Sequence, residues 1–472
     1  MIKFFPYTFN RLNRKLLFSN DAGDFFLSSA DFLDHIMNEN LTEQDTAYLL
    51  RKGFAYQETH DLYYNSFLCR LSQRKSFNKQ ISYIIAVPTL RCDLKCDYCQ
   101  VSRADLGAKG FDWSPEIVAA FEDFLIQQKE NKLKIEFQGG EPTVRLDIIQ
   151  EIVEFCDDNN IQAEYIICTN LSTLSDDLKK LLERTDVYIS TSIDGSLDTH
   201  TKYRTKDTAI SSKVAGNYQL VKALYGDSKI NALPTIAAQD FETIRSLIDH
   251  YIEMGQKNIF LRPINYQGFA RKKFTESNKQ YQSWLVNYRR ALEYIFKYNF
   301  TAEHPITEVG FEVVAKRIFT PTHNSHVDLR SPNFAGVDYI VVNYDGALYP
   351  SDEARMLSRI GHVDLCIGNI LTGVNKEKLN DFNWNQLNEI HEDCLHCAYK
   401  PFCGIDSIDD LSRYDRIDSI KRETHFCATQ TNLFNFVFEQ LENASPVALY
   451  NFQGHLTGDF SLDPITASWI HD

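Results

Sequence analysis

No apolar run in the chain approaches the ~20 residues a membrane-spanning helix needs, and its first residues lack the charged, apolar and small-residue order of a secretory signal. A cytoplasmic protein without a membrane partner is therefore expected. The chain also lacks a basic excess. Against 64 Asp and Glu stand 49 Lys and Arg, a net charge of −15, which speaks against a general nucleic-acid binder because such a protein needs a basic face. Eleven cysteines are present, yet a reducing compartment gives them no reason to pair, so they point to metal or catalysis. With 472 residues, 43% of them hydrophobic, there is room for about three domains with sizeable cores.

The most informative stretch is residues 87–102, VPTLRCDLKCDYCQVS, where Cys92, Cys96 and Cys99 are separated by three and then two residues. Thiolates this close share one ligand. Cysteine thiolates are the usual ligands of iron-sulfur clusters, and three of them on a four-iron cubane leave one iron open to a substrate or cofactor. Zinc is the alternative, since Cys96 and Cys99 have zinc-knuckle spacing and structural zinc takes four N or S ligands. The run ISYIIAV, residues 81–87, reads as a buried strand ending at Pro88. The cysteines then lie beyond a strand's carboxyl end, where open α/β sheets hold ligands. Gly139, Gly140, Glu141 and Pro142 directly follow a second strand-like run, LKIEFQ. With the aromatic Tyr98 before the last cysteine, these motifs resemble those of the radical S-adenosylmethionine (SAM) enzymes.

Strand-like and helical runs alternate from residue 81 to about 265, the pattern of a parallel sheet covered by helices. Candidate strands are 81–87, 133–137, 163–169, 187–193, 229–236 and 258–264; helices are expected at 114–128, 146–157, 176–184 and 241–254. This α/β pattern fits a partial (β/α)6 TIM-like radical SAM barrel over residues 80–270, with functional loops at the strands' C-terminal ends. The resemblance implies a SAM-binding [4Fe-4S] cluster on Cys92, Cys96 and Cys99. It also implies SAM contacts at Tyr98, at Gly139 and Gly140 through close backbone approach, and at Glu141, whose carboxylate suits the methionine ammonium. Ser192 would meet the ribose and Arg204 the methionine carboxylate, with Asp194 and Gly195 completing the SIDG turn. Ordinary turn chemistry is the plainer reading of Ser192 and Asp194.

Residues 1–75 read as a small α+β domain. The runs at 10–20 and 23–29 form a hairpin turned at Asp21, Ala22 and Gly23, followed by helices with Ser29 and Thr42 as N-caps. It resembles the peptide-recognition elements of enzymes that modify ribosomally made peptides, which bind a leader by strand addition; simple packing on the barrel is the alternative. Residues 271–335 form a helical connector. Its histidines, His304, His323 and His326, lack regular ligand spacing, and the basic run Arg271, Lys272 and Lys273 reads as a solvated face.

Residues 336–472 carry a second cysteine group, Cys394, Cys397, Cys403 and Cys427. By spacing alone four thiolates close either one cubane or a zinc site. The group resembles the auxiliary-cluster part of the C-terminal, cysteine-rich SPASM extension of radical SAM peptide maturases, which implies one auxiliary [4Fe-4S] cluster. The other auxiliary cluster of that family is not expected, because Ser351 and Ser407 stand at two of its ligand places and Asn333 in the window of a third. Cys69, Cys156, Cys168 and Cys366 are left as core thiols. Asp352 matches the acidic residue proposed as substrate base in sulfatase-maturing relatives; starting a helix is its plainer use.

Nearly the whole chain resembles the B-type His-Xaa-Ser system radical SAM maturases, through NDAGDFFLSS, VPTLRCDLKCDYCQ, DGALYPSDEARML and CAYKPFCGID. That implies a 5′-deoxyadenosyl radical taking hydrogen from a ribosomal precursor peptide carrying His-Xaa-Ser repeats, which is then crosslinked or oxidised. It also implies an external electron donor and a second radical SAM maturase as partners. A sulfatase-maturase-like or small-molecule radical SAM enzyme, or a non-catalytic zinc scaffold, are the alternative readings.

Overall fold

Runs rich in β-branched and aromatic residues form the central strands, here β4 (Tyr83–Thr89), β5 (Leu133–Gly139), β6 (Ala163–Cys168), β7 (Val187–Thr191) and β8 (Ile230–Ala232). The computed structural model describes residues 2–76, 80–237, 240–274, 277–320 and 333–460. The strands pair in parallel in the order β8, β7, β6, β5, β4, with Ile84 opposite Ile135 and Ile167 opposite Ile189. Helices Pro115–Gln127, Leu146–Asp158, Asp176–Leu182, Thr208–Tyr225 and Phe241–Glu253 supply the crossovers. Ile84, Ile135, Phe137, Ile167 and Ile189 share one apolar core with residues of these helices.

Alternate residues of the same strands point the other way. Tyr83, Lys134, Glu136, Gln138, Cys168, Tyr188 and Ser190 are half-buried and line the concave face. Lys134 lies over the Tyr83 ring, 5.4 Å from its centroid. The curved sheet is thus apolar on its outer face, while its inner face sets these polar groups among Ile85, Val87 and Ile166.

The sixth expected strand, 258–264, is shorter than its sequence suggests. Only Asn258–Ile259 is extended, and it pairs with Thr307–Glu308. It meets the sheet through one parallel bridge, Ile236 to Pro263. Pro234 and Pro263 explain the break, since a proline cannot donate to a ladder.

The opposite edge carries strands that barrel periodicity did not foreshadow. β9 (Tyr339–Val342) pairs in parallel with β4, and β10 (Ala347–Tyr349), β11 (Gly368–Asn369) and β12 (Gly373–Val374) continue antiparallel from it. The C-terminal segment therefore extends the barrel sheet rather than forming a detached unit.

At the N-terminus the expected hairpin is a three-stranded antiparallel sheet. β1 (Tyr7–Arg11), β2 (Leu16–Asn20) and β3 (Phe25–Ser28) follow one another, so the run 10–20 is split by a turn at residues 12–15. Ser29 caps helix Ala30–Met37 and Thr42 forms a capping box with Asp45 on helix Glu43–Arg51. The domain rests on the C-terminal cysteine loop. Lys400 pairs with Asp21 at 2.7 Å, and Arg74, on helix Leu62–Lys75, donates to the carbonyls of Arg317 and Pro401. No helix among the described residues is long and apolar enough to cross a membrane.

Candidate active site

Beyond the carboxyl end of β4 the chain runs directly into the first cysteine loop. Asp93 accepts hydrogen bonds from Asn170 and Ser172, which fastens the loop to the end of β6. Asp97 pairs with Lys206 and Lys273, so the basic run is not simply solvated: Lys273 holds the cysteine loop, and Arg271 pairs with Asp415. Helix Gly268–Lys273 closes over the same loop. Gly268 has φ +58°, and a Cβ there would lie 1.7 Å from the Gln100 carbonyl oxygen, a place only glycine fills.

Cys92, Cys96 and Cys99 are half-buried free thiols. Burial pushes the Cys92 thiol well up, with Glu141 adding to it, and pushes Cys96 to about 11 against the pull of Arg204. Without a metal Cys92 and Cys96 are held protonated; a bound cation inverts that preference. Among the described residues no three His, Cys, Asp or Glu side chains converge on a single-ion site.

Gly139 and Gly140 form the cradle beside this loop. A Cβ at Gly139, where φ is +127°, would lie 2.1 Å from the Thr89 carbonyl oxygen, and one at Gly140 would lie 2.3 Å from the carbonyl oxygens of Leu90 and Arg91. Glu141 is buried; its Oε1 accepts from Thr143 N at 3.2 Å and its Oε2 from Asn170 N at 2.8 Å. Burial raises its carboxyl above the ordinary range. The Thr143 hydroxyl also donates to Oε1, at 2.6 Å.

The aromatic of the cysteine loop acts through its hydroxyl. Tyr98 donates to Asp194 Oδ2, Arg204 Nη1 donates to Tyr98 at 3.1 Å, and Thr235 N donates to Asp194 Oδ1 at 3.0 Å. This chain joins the cysteine loop to the SIDG turn. Ser192 is half-buried at the end of β7. Around this mouth Arg204 Nε, Thr191 Oγ1, both His200 nitrogens, Ser102 Oγ and Gln267 Oε1 are buried without a hydrogen-bond partner among the described residues. Buried polar atoms are ordinarily satisfied. A polar cofactor with a carboxylate, an ammonium and ribose hydroxyls has the matching groups, and the thiols suit a cluster beside it, so the residues present fit both.

The second cysteine group assembles from three short elements. Cys394 lies on helix Glu392–Leu395, Cys397 and Cys403 flank the turn Lys400–Phe402, and Cys427 sits in the first turn of helix His425–Asn443. Burial raises the Cys403 thiol, and the nearby Cys397, Cys427 and Cys394 add to it, so the four lie in one neighbourhood. Ser351 caps helix Asp352–Arg359, Ser407 Oγ donates to the Asn385 carbonyl at 3.0 Å, and Asn333 accepts from Tyr339 at 3.3 Å. Asp352, next to its cap, accepts from Arg355 Nε at 2.7 Å. The leftover cysteines differ in fate. Cys156 is buried, but Cys69 is exposed, and Cys168 stands on the polar lumen wall 3.1 Å from Glu136 Oε1. His304 is exposed; His323 and His326 lie outside the described residues.

Glu136 and Tyr83 were not singled out from sequence, although a signal was present. In LKIEFQ the polar residues recur with period two, which in a sheet covered on its outer face turns them toward a lumen.

Residues 86–261 match the model of the Radical SAM superfamily. A cysteine-type anaerobic sulfatase-maturating enzyme of Clostridium novyi is 28% identical over 134 residues, 27% of this chain and 36% of that protein. The chain spans between 36% and 55% of the length of the curated relatives it matches. Native anSMEcpe with bound AdoMet superposes with a TM-score of 0.61 at 19% identity, covering 77% of this chain and 98% of that one. Streptococcus suis SuiB bound to precursor peptide SuiA gives 0.52 at 16% identity, covering 88% and 97%. These two likenesses speak for the fold, an α/β partial barrel with a C-terminal extension.

Proposed function

We propose that this radical SAM enzyme modifies residues of a ribosomally made peptide of the His-Xaa-Ser type, crosslinking or oxidising them. The observation that carries the reading is the three-stranded N-terminal sheet resting on the C-terminal cysteine loop. Its strand β1 pairs with β2 alone among the described residues, and Phe9 on it is 44% exposed. An outer strand with free backbone groups takes an extended peptide by strand addition, and residues 10–20 and 23–28 hold that platform against the body of the enzyme.

Cys92, Cys96 and Cys99 would hold the SAM-binding cluster, and Cys394, Cys397, Cys403 and Cys427 one auxiliary cluster. Such a cluster with SAM supplies a carbon radical able to take hydrogen from an unactivated C–H bond. The chain's own residues do the rest. Gly139 and Gly140 let the backbone approach the cofactor, Glu141 takes its ammonium, Arg204 its carboxylate and Ser192 its ribose. Tyr98 and Asp194 keep Arg204 in place, and helix Gly268–Lys273 covers the cysteine loop against water. An external one-electron donor and a second maturase are the partners this reading calls for, in the cytoplasm.

The test is mass spectrometry of a synthetic peptide with His-Xaa-Ser repeats after anaerobic incubation with reconstituted enzyme, SAM and dithionite. A peptide lighter by pairs of hydrogens is expected. SAM cleavage with unchanged peptide mass would overturn the substrate reading.

A further inference from the structure

On the lumen wall Glu136 gathers its neighbours. Tyr83 on β4 and Gln138 on β5 donate to it, and the Cys168 thiol on β6 donates to Oε1 at 3.1 Å. All three donors are neutral groups, and no cation pairs with Glu136 among the described residues. An ionised carboxylate has about four acceptor positions, so one remains toward the lumen, where Glu136 is half-buried.

The other groups on this wall are poorer proton acceptors. Lys134 offers only donors, the Tyr83 hydroxyl already donates to Glu136, and burial, with Glu136 beside it, raises the Cys168 thiol. Asp352 has Oδ1 taken by Arg355, and both side chains are buried, with relative exposures of 9% and 1%. It lies in the first turn of helix Asp352–Arg359.

The carboxylate is also placed by the chain. Glu136 precedes Gly139 by three residues on β5, and Cys168 precedes Asn170, which binds Glu141, by two on β6. The pair therefore stands one layer below the cofactor cradle.

We infer that Glu136 is the lumen carboxylate that contacts the substrate and receives the proton it loses, an inference that rests on the peptide-modifying reading. A substrate carbon already short of one hydrogen atom bonds to a neighbouring O–H, N–H or S–H group. The heteroatom's proton passes to a Glu136 oxygen, and one electron passes to a one-electron acceptor of the iron-sulfur class. Asp352 acts as a positioning residue that orders Arg355.

The experiment compares wild type with Glu136→Gln and Glu136→Asp. On the His-Xaa-Ser repeat peptide, product formed per 5′-deoxyadenosine falls about a hundredfold in the Gln variant, the size of a lost acid-base group, and recovers in part with Asp. An unchanged ratio overturns the inference. A second readout needs no substrate: the infrared S–H stretch of Cys168 in cluster-free protein, identified by its loss in Cys168→Ala. The band shifts in Glu136→Gln if the thiol donates to a carboxylate; a band that stays put overturns the inference. Should wild type leave the peptide's mass unchanged, the peptide reading falls and the thiol band alone judges Glu136.

Discussion

Ser19 on β2 donates its hydroxyl to the carbonyl of Ala398 at 2.6 Å, across 379 residues of chain. Ala398 lies directly after Cys397, so the N-terminal sheet holds the second cysteine group by its backbone. Phe25 adds edge contacts to Phe319, Phe402 and Phe438, with ring centroids 5.8, 6.2 and 5.3 Å away. Ser19→Ala leaves a buried carbonyl unsatisfied and should cost about 1–3 kcal/mol, read as a lower denaturant midpoint. If that group holds iron, as proposed, the iron should also become easier to chelate; an unchanged chelation rate would show that the sheet does not stiffen that loop.

Metal content separates the two cysteine groups. Anaerobic wild type should hold about eight irons, and a Cys92, Cys96, Cys99→Ala variant about four, if each group carries a cubane. Zinc in the variant, with no labile sulfide, would assign the C-terminal site to zinc instead.

Gly140→Ala tests the cofactor cradle. Its Cβ would meet two backbone carbonyl oxygens at 2.3 Å, and backbone cannot step aside as a flexible side chain can. SAM affinity by equilibrium dialysis should fall by at least about tenfold, about 1.4 kcal/mol. Wild-type affinity would mean that the cofactor does not use this edge.

Stability should vary with pH through a buried pair far from the lumen. Burial pushes Glu308 up to about 7 and His455 down to about 4. The folded chain holds the Glu308 proton through a window where the unfolded chain has lost it, so stability falls as pH rises from about 4.5 to about 7, by roughly 3 kcal/mol. His455 works in the opposite sense. Its Nε2 accepts from Glu308 N at 3.1 Å, which requires a neutral ring, so stability falls as pH drops from about 6.5 through 4. Glu308→Gln should flatten the alkaline limb of Tm against pH while lowering Tm overall, because its amide would oppose donors from Phe311 and Tyr288. An unaltered alkaline limb would place that titration elsewhere.

The sequence by itself determined the features whose physics is short-range. Thiolates three and two residues apart must share a ligand wherever the loop lies, and Ser29 and Thr42 cap helices by reaching backbone N–H groups two or three residues on. The alternation of apolar runs was enough for a helix-covered parallel sheet. Tertiary structure decided what depends on register and on strand order. Tyr83 and Glu136 are 53 residues apart and Glu136 and Cys168 are 32 apart; they meet because β4, β5 and β6 are neighbours in one register, and a slip of one residue would turn Glu136 out of the lumen. The union of β9 with β4, and of Ser19 with Ala398, likewise rests on long-range pairing for which no local pattern codes. Burial also divided the cysteines outside the two groups, since a thiol in apolar packing and one beside a carboxylate look alike in a sequence.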